Sequence, residues 1–205
     1  YAMLRSLVGS EMCIRDRING IPAEKTKKAI LKNLSLREKS PYVNFLAKQD
    51  INKIENTCVY DIAIRTPLEK ASNLSRKLDN NIFIKREDLQ PIFSFKLRGA
   101  YVKIKNLIDK KKIKSIIAAS AGNHAQALAF RSQQEKIKST IIMPEQTPFT
   151  KISKTKAYGA EVVLTGRTLD EAEKIVDQLI DANGYSLIHP FDDLNIISGQ
   201  GTIGL

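Results

Sequence analysis

The chain has 205 residues, 42% of them hydrophobic, and 33 Lys and Arg against 22 Asp and Glu give it a net charge of +11. That is apolar material for one or two globular domains, not a disordered chain, and no apolar run approaches the roughly 20 residues of a bilayer helix. The charge raises nucleic acid as a partner, but the lysines are dispersed, as in Lys110, Lys111, Lys112 and Lys114. With no Trp and no interleaving of basic and aromatic residues they read as solvated faces flanking strands, so neither nucleic acid nor membrane is expected. Cys13 and Cys58 lack metal-ligand or redox spacing, no metal site is expected, and a reducing cytoplasm is the simplest home.

In chain order, Tyr1 to Arg17 follows no strand or helix period and resembles translated sequencing-adapter text, so it is set aside. Ile18 to Ser40 is charged, with a short helix around Glu24 to Leu36, and residues 1–40 together read as a leader outside the fold. Asn44 to Asn56 reads as a helix. Thr66-Pro67-Leu68 then breaks the chain before a helix over Lys70 to Leu78. A strand at Ile82 to Ile84 leads through a lysine-bearing loop to a helix over Phe95 to Lys110.

Regular alternation follows. The expected strands are Ser115 to Ala119, Ser139 to Met143, Glu161 to Leu164 and Tyr185 to Ile188. Between them come helices over His124 to Glu135, Phe149 to Tyr158 and Leu169 to Ala182. Short β-rich runs alternating with amphipathic helices predict βαβ units, an α/β fold with a mostly parallel, covered sheet.

Two segments carry chemistry: SFKLRGA at Ser94 to Ala100 and SAGNHAQ at Ser120 to Gln126. A lysine attacks an aldehyde only when part of its population is uncharged, which desolvation or a neighbouring cation achieves. Phe95 and Arg98 place both influences near Lys96. A helix start leaves backbone N–H groups unpaired at a positive dipole end, and so holds a carboxylate or phosphate. Ala121 and Gly122 keep such an approach open, Asn123 both donates and accepts hydrogen bonds, and His124 is expected to titrate near neutrality. Taken singly, Lys96 would be a solvated charge and Ser120 to Asn123 a cap; the pair in this order is more specific. In parallel sheets ligands bind beyond the carboxyl ends of strands, where the SAGN turn falls. His189 reads as structural or capping, Glu87 and Asp88 as loop contacts ordering the approach to Lys96, and Arg98 as structural.

KREDLQPIFSFKLRGAY (Lys85 to Tyr101), SAGNHAQ, GQGTIGL (Gly199 to Leu205) and VYDIAIRTPLEKASNLS (Val59 to Ser75) resemble the threonine dehydratases (threonine ammonia-lyases), in the form found in isoleucine biosynthesis. These belong to the pyridoxal-phosphate enzymes of the tryptophan-synthase-β fold type, fold type II. The resemblance runs from about Tyr42 to Leu205. It implies a two-lobed catalytic domain, with residues 41–115 and 191–205 in the large lobe and 116–190 in a small lobe that closes over substrate. It also implies that Lys96 carries pyridoxal 5′-phosphate covalently, Phe95 packs against the ring and Asn123 bonds the ring hydroxyl. Ser120, Ala121, Gly122, Asn123 and His124 would take the substrate carboxylate.

The implied reaction is α,β-elimination of L-threonine, and secondarily L-serine, to keto acid and ammonia, by a protein expected to be a homo-oligomer. Serine racemases, which are similar, have a second serine where this chain has Ala121, so elimination without racemisation is expected. The family binds the cofactor phosphate on a glycine run after the GQGT segment. None occurs among the ten glycines here, so a C-terminally truncated catalytic domain, inactive alone, is expected. A sister enzyme of the same cofactor and a non-catalytic basic binding module are the alternatives.

Overall fold

A computed structural model describes residues 52–111 and 113–204. The chain divides into two units, residues 1–57 and 58–205. In the first, residues 52–55 are helical, within the expected helix over Asn44 to Asn56. Asn56 is a turn, and residues 44–51 of that expected helix, the 1–40 leader and Cys13 lie outside the described residues.

In the second unit a single 3-10 turn, Val59–Asp61, precedes strands β1 (Leu68–Lys70) and β2 (Phe83–Lys85), which are joined by helix α1 (Ser72–Lys77). They pair antiparallel, with Leu68 opposite Lys85. β1 departs from the expectation that a helix begins at Lys70. Its three residues are all exposed and show no alternation, so only the partner strand, distant in sequence, gives them extended form. Helix α2 (Lys96–Asp109) then starts one residue later than expected.

The alternation that follows is as the periodicity predicts: β3 (Ser115–Ala119), α3 (Asn123–Gln134), β4 (Lys138–Met143), α4 (Phe149–Ala157), β5 (Glu161–Leu164), α5 (Leu169–Asn183) and β6 (Ser186–Leu187). The sheet order is β5-β4-β3-β6 and every neighbouring pair is parallel. Successive strand residues face opposite sides. Accordingly Ile116, Ala118, Ile141 and Met143 pack with Ala125 and Leu128 of α3 and with Leu97 and Ile104 of α2. Ile117, Ala119 and Ile142 pack instead with Ala172 and Val176 of α5. Burial on both faces is why β3 carries the unbroken apolar run Ile116 to Ala119 and β4 ends in Ile141 to Met143. Thr168 caps α5 by accepting a hydrogen bond from the Glu171 N–H, and Gly184 ends it at a φ of 65°. Among the described residues no helix is long and apolar enough to cross a membrane.

A last helix, α6 (Leu194–Gly201), was not expected from its glycines. Asp193 caps it by accepting from the N–H groups of Asn195 at 2.8 Å and Ile196 at 3.3 Å. α6 lies along α2 with backbones in contact. A Cβ on Gly199 would fall 2.5 Å from the Arg98 carbonyl oxygen and 2.6 Å from Gly99 Cα, closer than side chains tolerate. A Cβ on Gly99 would meet Gln200 Nε2 at 2.8 Å. The helices cross this closely because both positions lack a side chain.

Candidate active site

From β3 the chain moves outward through β4 and β5, then returns to the other flank of β3 as β6. Such a reversal opens a crevice at the carboxyl ends of the two strands where the order reverses, β3 and β6. Here those ends are Ser120 to Asn123 after β3 and Ile188 to Pro190 after β6. The Ile188 N–H extends the ladder by donating to the Ile117 carbonyl at 3.1 Å.

Lys96, first residue of α2, brings its amine to this place. Its Nζ donates to the Pro190 carbonyl at 2.8 Å and lies 5.2 Å from the centroid of the Phe95 ring. Burial pushes its pKa from the ordinary lysine value down to about 8, so a fraction of the amine is uncharged near neutrality. His124 is buried on the other flank, its Nε2 at 3.0 Å from the Ile188 carbonyl. A carbonyl only accepts, so Nε2 carries the hydrogen and Nδ1 is a buried acceptor without a partner. Burial pulls the His124 pKa down to about 3; the contact to Ile188 opposes this, and the charges of Lys96 and His189 add to it. The expectation that His124 titrates near neutral pH is therefore corrected, because a fully enclosed ring stays neutral.

The turn before α3 offers fewer bare amides than its sequence suggests. The Ser120 N–H is spent on the Ile142 carbonyl at 3.0 Å, and the Gly122 N–H approaches Ser120 Oγ at 3.4 Å. Helix geometry leaves the N–H groups of Asn123, His124 and Ala125 without intrahelical acceptors. The approach to them is open, since a Cβ on Gly122 would meet nothing within 4 Å. Asn123 is exposed, Ala121 half-buried, and Ser94 Oγ, two residues before Lys96, is buried without a partner. All seven expected site residues thus belong to two segments, Phe95-Lys96 and Ser120 to His124, both tied to the strand end at 188–190.

Behind Lys96 lies a polar hub that the sequence shows only in part. Arg98 is 0% exposed and grips both Glu87 oxygens with one guanidinium edge, Nε to Oε2 at 2.8 Å and Nη2 to Oε1 at 2.9 Å. Its Nη1 donates to Thr202 Oγ1 at 3.0 Å, and Nη2 also reaches the Ile64 carbonyl at 3.3 Å. Thr66 donates to Glu87 at 2.6 Å, and Gln90 exchanges hydrogen bonds with the Ile64 backbone. One buried ion pair so joins the segment before β1, the loop after β2, α2 and the residue after α6. The structural reading of Arg98 holds. Glu87 and Asp88 share a single helical turn, and Asp88 turns outward to Arg86. His189 is a cap, its Nδ1 accepting from the N–H groups of Phe191 and Asp192. A hollow of about 400 Å³ lined by Lys70, Ser72, Arg76 and Asp79 shares no residue with the Lys96 site.

A desolvated amine and an open helix start, both tied to the switch point of a parallel sheet, are groups that suit an aldehyde and an acid. Residues 59–205 match the family model described as pyridoxal-phosphate dependent enzyme, and the chain belongs to that family. It is 50% identical over 146 residues to threonine dehydratase 2 biosynthetic, chloroplastic, of Solanum lycopersicum, covering 71% of this chain and 24% of that one. It is 43% identical over 166 residues to the L-threonine dehydratase biosynthetic IlvA of Haemophilus influenzae, covering 81% and 31%. Among solved structures it resembles the processed form of threonine deaminase isoform 2 from Solanum lycopersicum, with a TM-score of 0.70 and 48% identity over 76% of this chain and 43% of that one. Maize serine racemase has the same TM-score of 0.70 at 29% identity, covering 75% and 47%. The chain spans between 24% and 31% of the length of the curated relatives it matches.

The residues present fit the family's cofactor. A buried amine of lowered pKa suits an aldehyde, the partnerless Ser94 hydroxyl and the exposed Asn123 suit polar ring substituents, and the open turn suits an acid group.

Proposed function

We propose that this chain carries the cofactor-bearing lysine and the carboxylate-binding turn of an enzyme that converts L-threonine to 2-oxobutanoate and ammonia, with L-serine as a secondary substrate. The observation that supports the reading best is the juxtaposition of the Lys96 amine, through Pro190, with the open first turn of α3. Pyridoxal 5′-phosphate, when bound, supplies the electron-accepting ring that lets a proton leave the substrate's α-carbon. Lys96, Phe95 and Asn123 would hold it. Lys96 Nζ takes the α-proton, a task suited to an amine whose pKa lies close to the working pH. The amides of Asn123 and His124 orient the substrate carboxylate, and neutral His124 adds no charge that would compete with Lys96 for it. Threonine loses its β-hydroxyl as water, and hydrolysis of the product releases ammonia and the keto acid.

This reaction would open isoleucine biosynthesis, in the cytoplasm, within a homo-oligomer. Residues 116–190 would form the lobe that closes over substrate and excludes water, against a large lobe contributed by 41–115 and 191–205. Turnover is proposed of the whole protein, since the 205 residues alone contain no glycine run for the cofactor phosphate.

The test is the keto-acid yield of the whole protein, loaded with pyridoxal 5′-phosphate, from L-threonine, L-serine and O-acetyl-L-serine. Faster release from threonine is expected. A preference for serine or for the acetylated substrate would assign a sister enzyme, and no turnover with no cofactor uptake would assign a binding module. Ala121 sets a second expectation, because an alanine moves no proton. D-serine should form from L-serine at least about a hundred-fold more slowly than pyruvate, the usual worth of a general acid or base. Chiral chromatography showing comparable rates would overturn it.

A further inference from the structure

We propose that His189 is a positioning residue for Lys96: its ring holds the turn whose Pro190 carbonyl receives the lysine amine, and so sets where that amine rests. The role rests on the proposed function only in taking Lys96 as the reactive group.

His189 Nδ1 accepts from the Asp192 N–H at 2.7 Å and the Phe191 N–H at 3.2 Å. Nδ1 stands at the same bond distance from the backbone as the side-chain oxygen of asparagine. It therefore closes the rings, onto amides two and three residues ahead, that an Asx turn closes. The ring also meets Phe191 edge-on, centroids 4.6 Å apart and planes at 81°. Pro190, inside this turn, has no N–H to compete and a fixed φ. Its carbonyl takes the Lys96 Nζ hydrogen bond at 2.8 Å.

The segment is thus fixed from two sides. The sheet holds Ile188, through Ile117 at 3.1 Å and His124 Nε2 at 3.0 Å, and His189 holds residues 191 and 192. Pro190 bridges the two. His124, which feels the charges of both Lys96 and His189, is neutral, the acidic residue Asp192 lies beside His189, and the Phe95 ring lies against the amine. Loosening the turn would let water reach the amine and undo the burial that lowers its pKa.

The experiment is competitive labelling of amines with acetic anhydride on the whole protein stripped of pyridoxal 5′-phosphate, which leaves the Lys96 amine free, across the neutral and alkaline range, read at Lys96 by peptide mass spectrometry. His189→Ala should move the Lys96 midpoint upward by about one unit, toward the ordinary lysine value. His189→Asn, which restores the acceptor, should keep the wild-type midpoint. A folded His189→Ala with an unmoved midpoint, or an equal shift in both variants, would overturn the role. Should His189→Ala not fold, His189→Gln replaces it, its amide one methylene too far out to close the same rings. Borohydride trapping of pyridoxal 5′-phosphate on wild-type Lys96 separates the two readings. Absent trapping defeats the proposed activity and leaves the midpoint comparison standing, while normal trapping with an unmoved midpoint defeats His189 alone.

Discussion

Lys96→Ala is expected to abolish covalent uptake of pyridoxal 5′-phosphate and to cut 2-oxobutanoate release by roughly a thousand-fold or more, because one amine both binds the cofactor and moves the proton. The same change should leave the folded state at least as stable as before. Burial holds the Lys96 pKa at about 8, whereas in the unfolded chain a lysine titrates near about 10.4. Between those two values the unfolded chain binds more protons than the folded one, so stability rises with pH across that window. Below the window the charged amine sits in surroundings that disfavour it. Alanine removes both the penalty and the rise. Urea unfolding at neutral and alkaline pH checks this, and a variant that still gains stability over the window would show that another group is responsible.

Glu87→Ala is expected to cost about 3–5 kcal/mol, the usual result of stranding one member of a buried ion pair. Arg98, at 0% exposure, would keep Thr202 Oγ1, the Ile64 carbonyl and the Tyr60 side chain as partners, but no carboxylate for its full positive charge. Burial alone would raise the Glu87 pKa, but the hydrogen bonds from Arg98, Thr66 and Gln90 and the charge of Arg98 outweigh it and hold the carboxyl below the usual glutamate range. The sign follows from that lowering. The pair's contribution is complete above the unfolded value of about 4.3 and is lost as pH falls through the lower folded value. Wild type should therefore lose stability in acid that Glu87→Ala has already lost at neutrality, and denaturant midpoints at both pH values check it. Pairing Glu87→Ala with Arg98→Met should cost less than the two single changes summed, since no charge is then stranded.

The series from β3 to α5 was legible because short strand runs alternate there with helices of the right period. Two elements were not. β1 is three exposed residues whose form depends on β2. α6 hid behind its glycines, although Asp193 before Leu194, Ile196 and Ile197 is a cap before an apolar face and could have announced it. At the site, the Lys96 and Ser120 to His124 segments could be read from local rules about amines and helix starts. What escaped depends on contacts between distant segments: the burial that neutralises His124, the Pro190 carbonyl, and a hub joining residues 64, 66, 87, 90, 98 and 202. An arginine in a helix start can be read as structural, as Arg98 was, but its carboxylate partner is fixed only by the fold.

The glycine crossing of α2 and α6 turns distance along the chain into mechanical linkage. Gly99 lies within one helical turn of Lys96, so a single methyl group added at position 199 would act as a shim between two rods. The rods would splay, and the splay would be delivered to the amine's mooring at Pro190 with no change to any group that meets a ligand. Clearance between two backbones thus adds to the hold of the His189 turn on where this lysine is aimed.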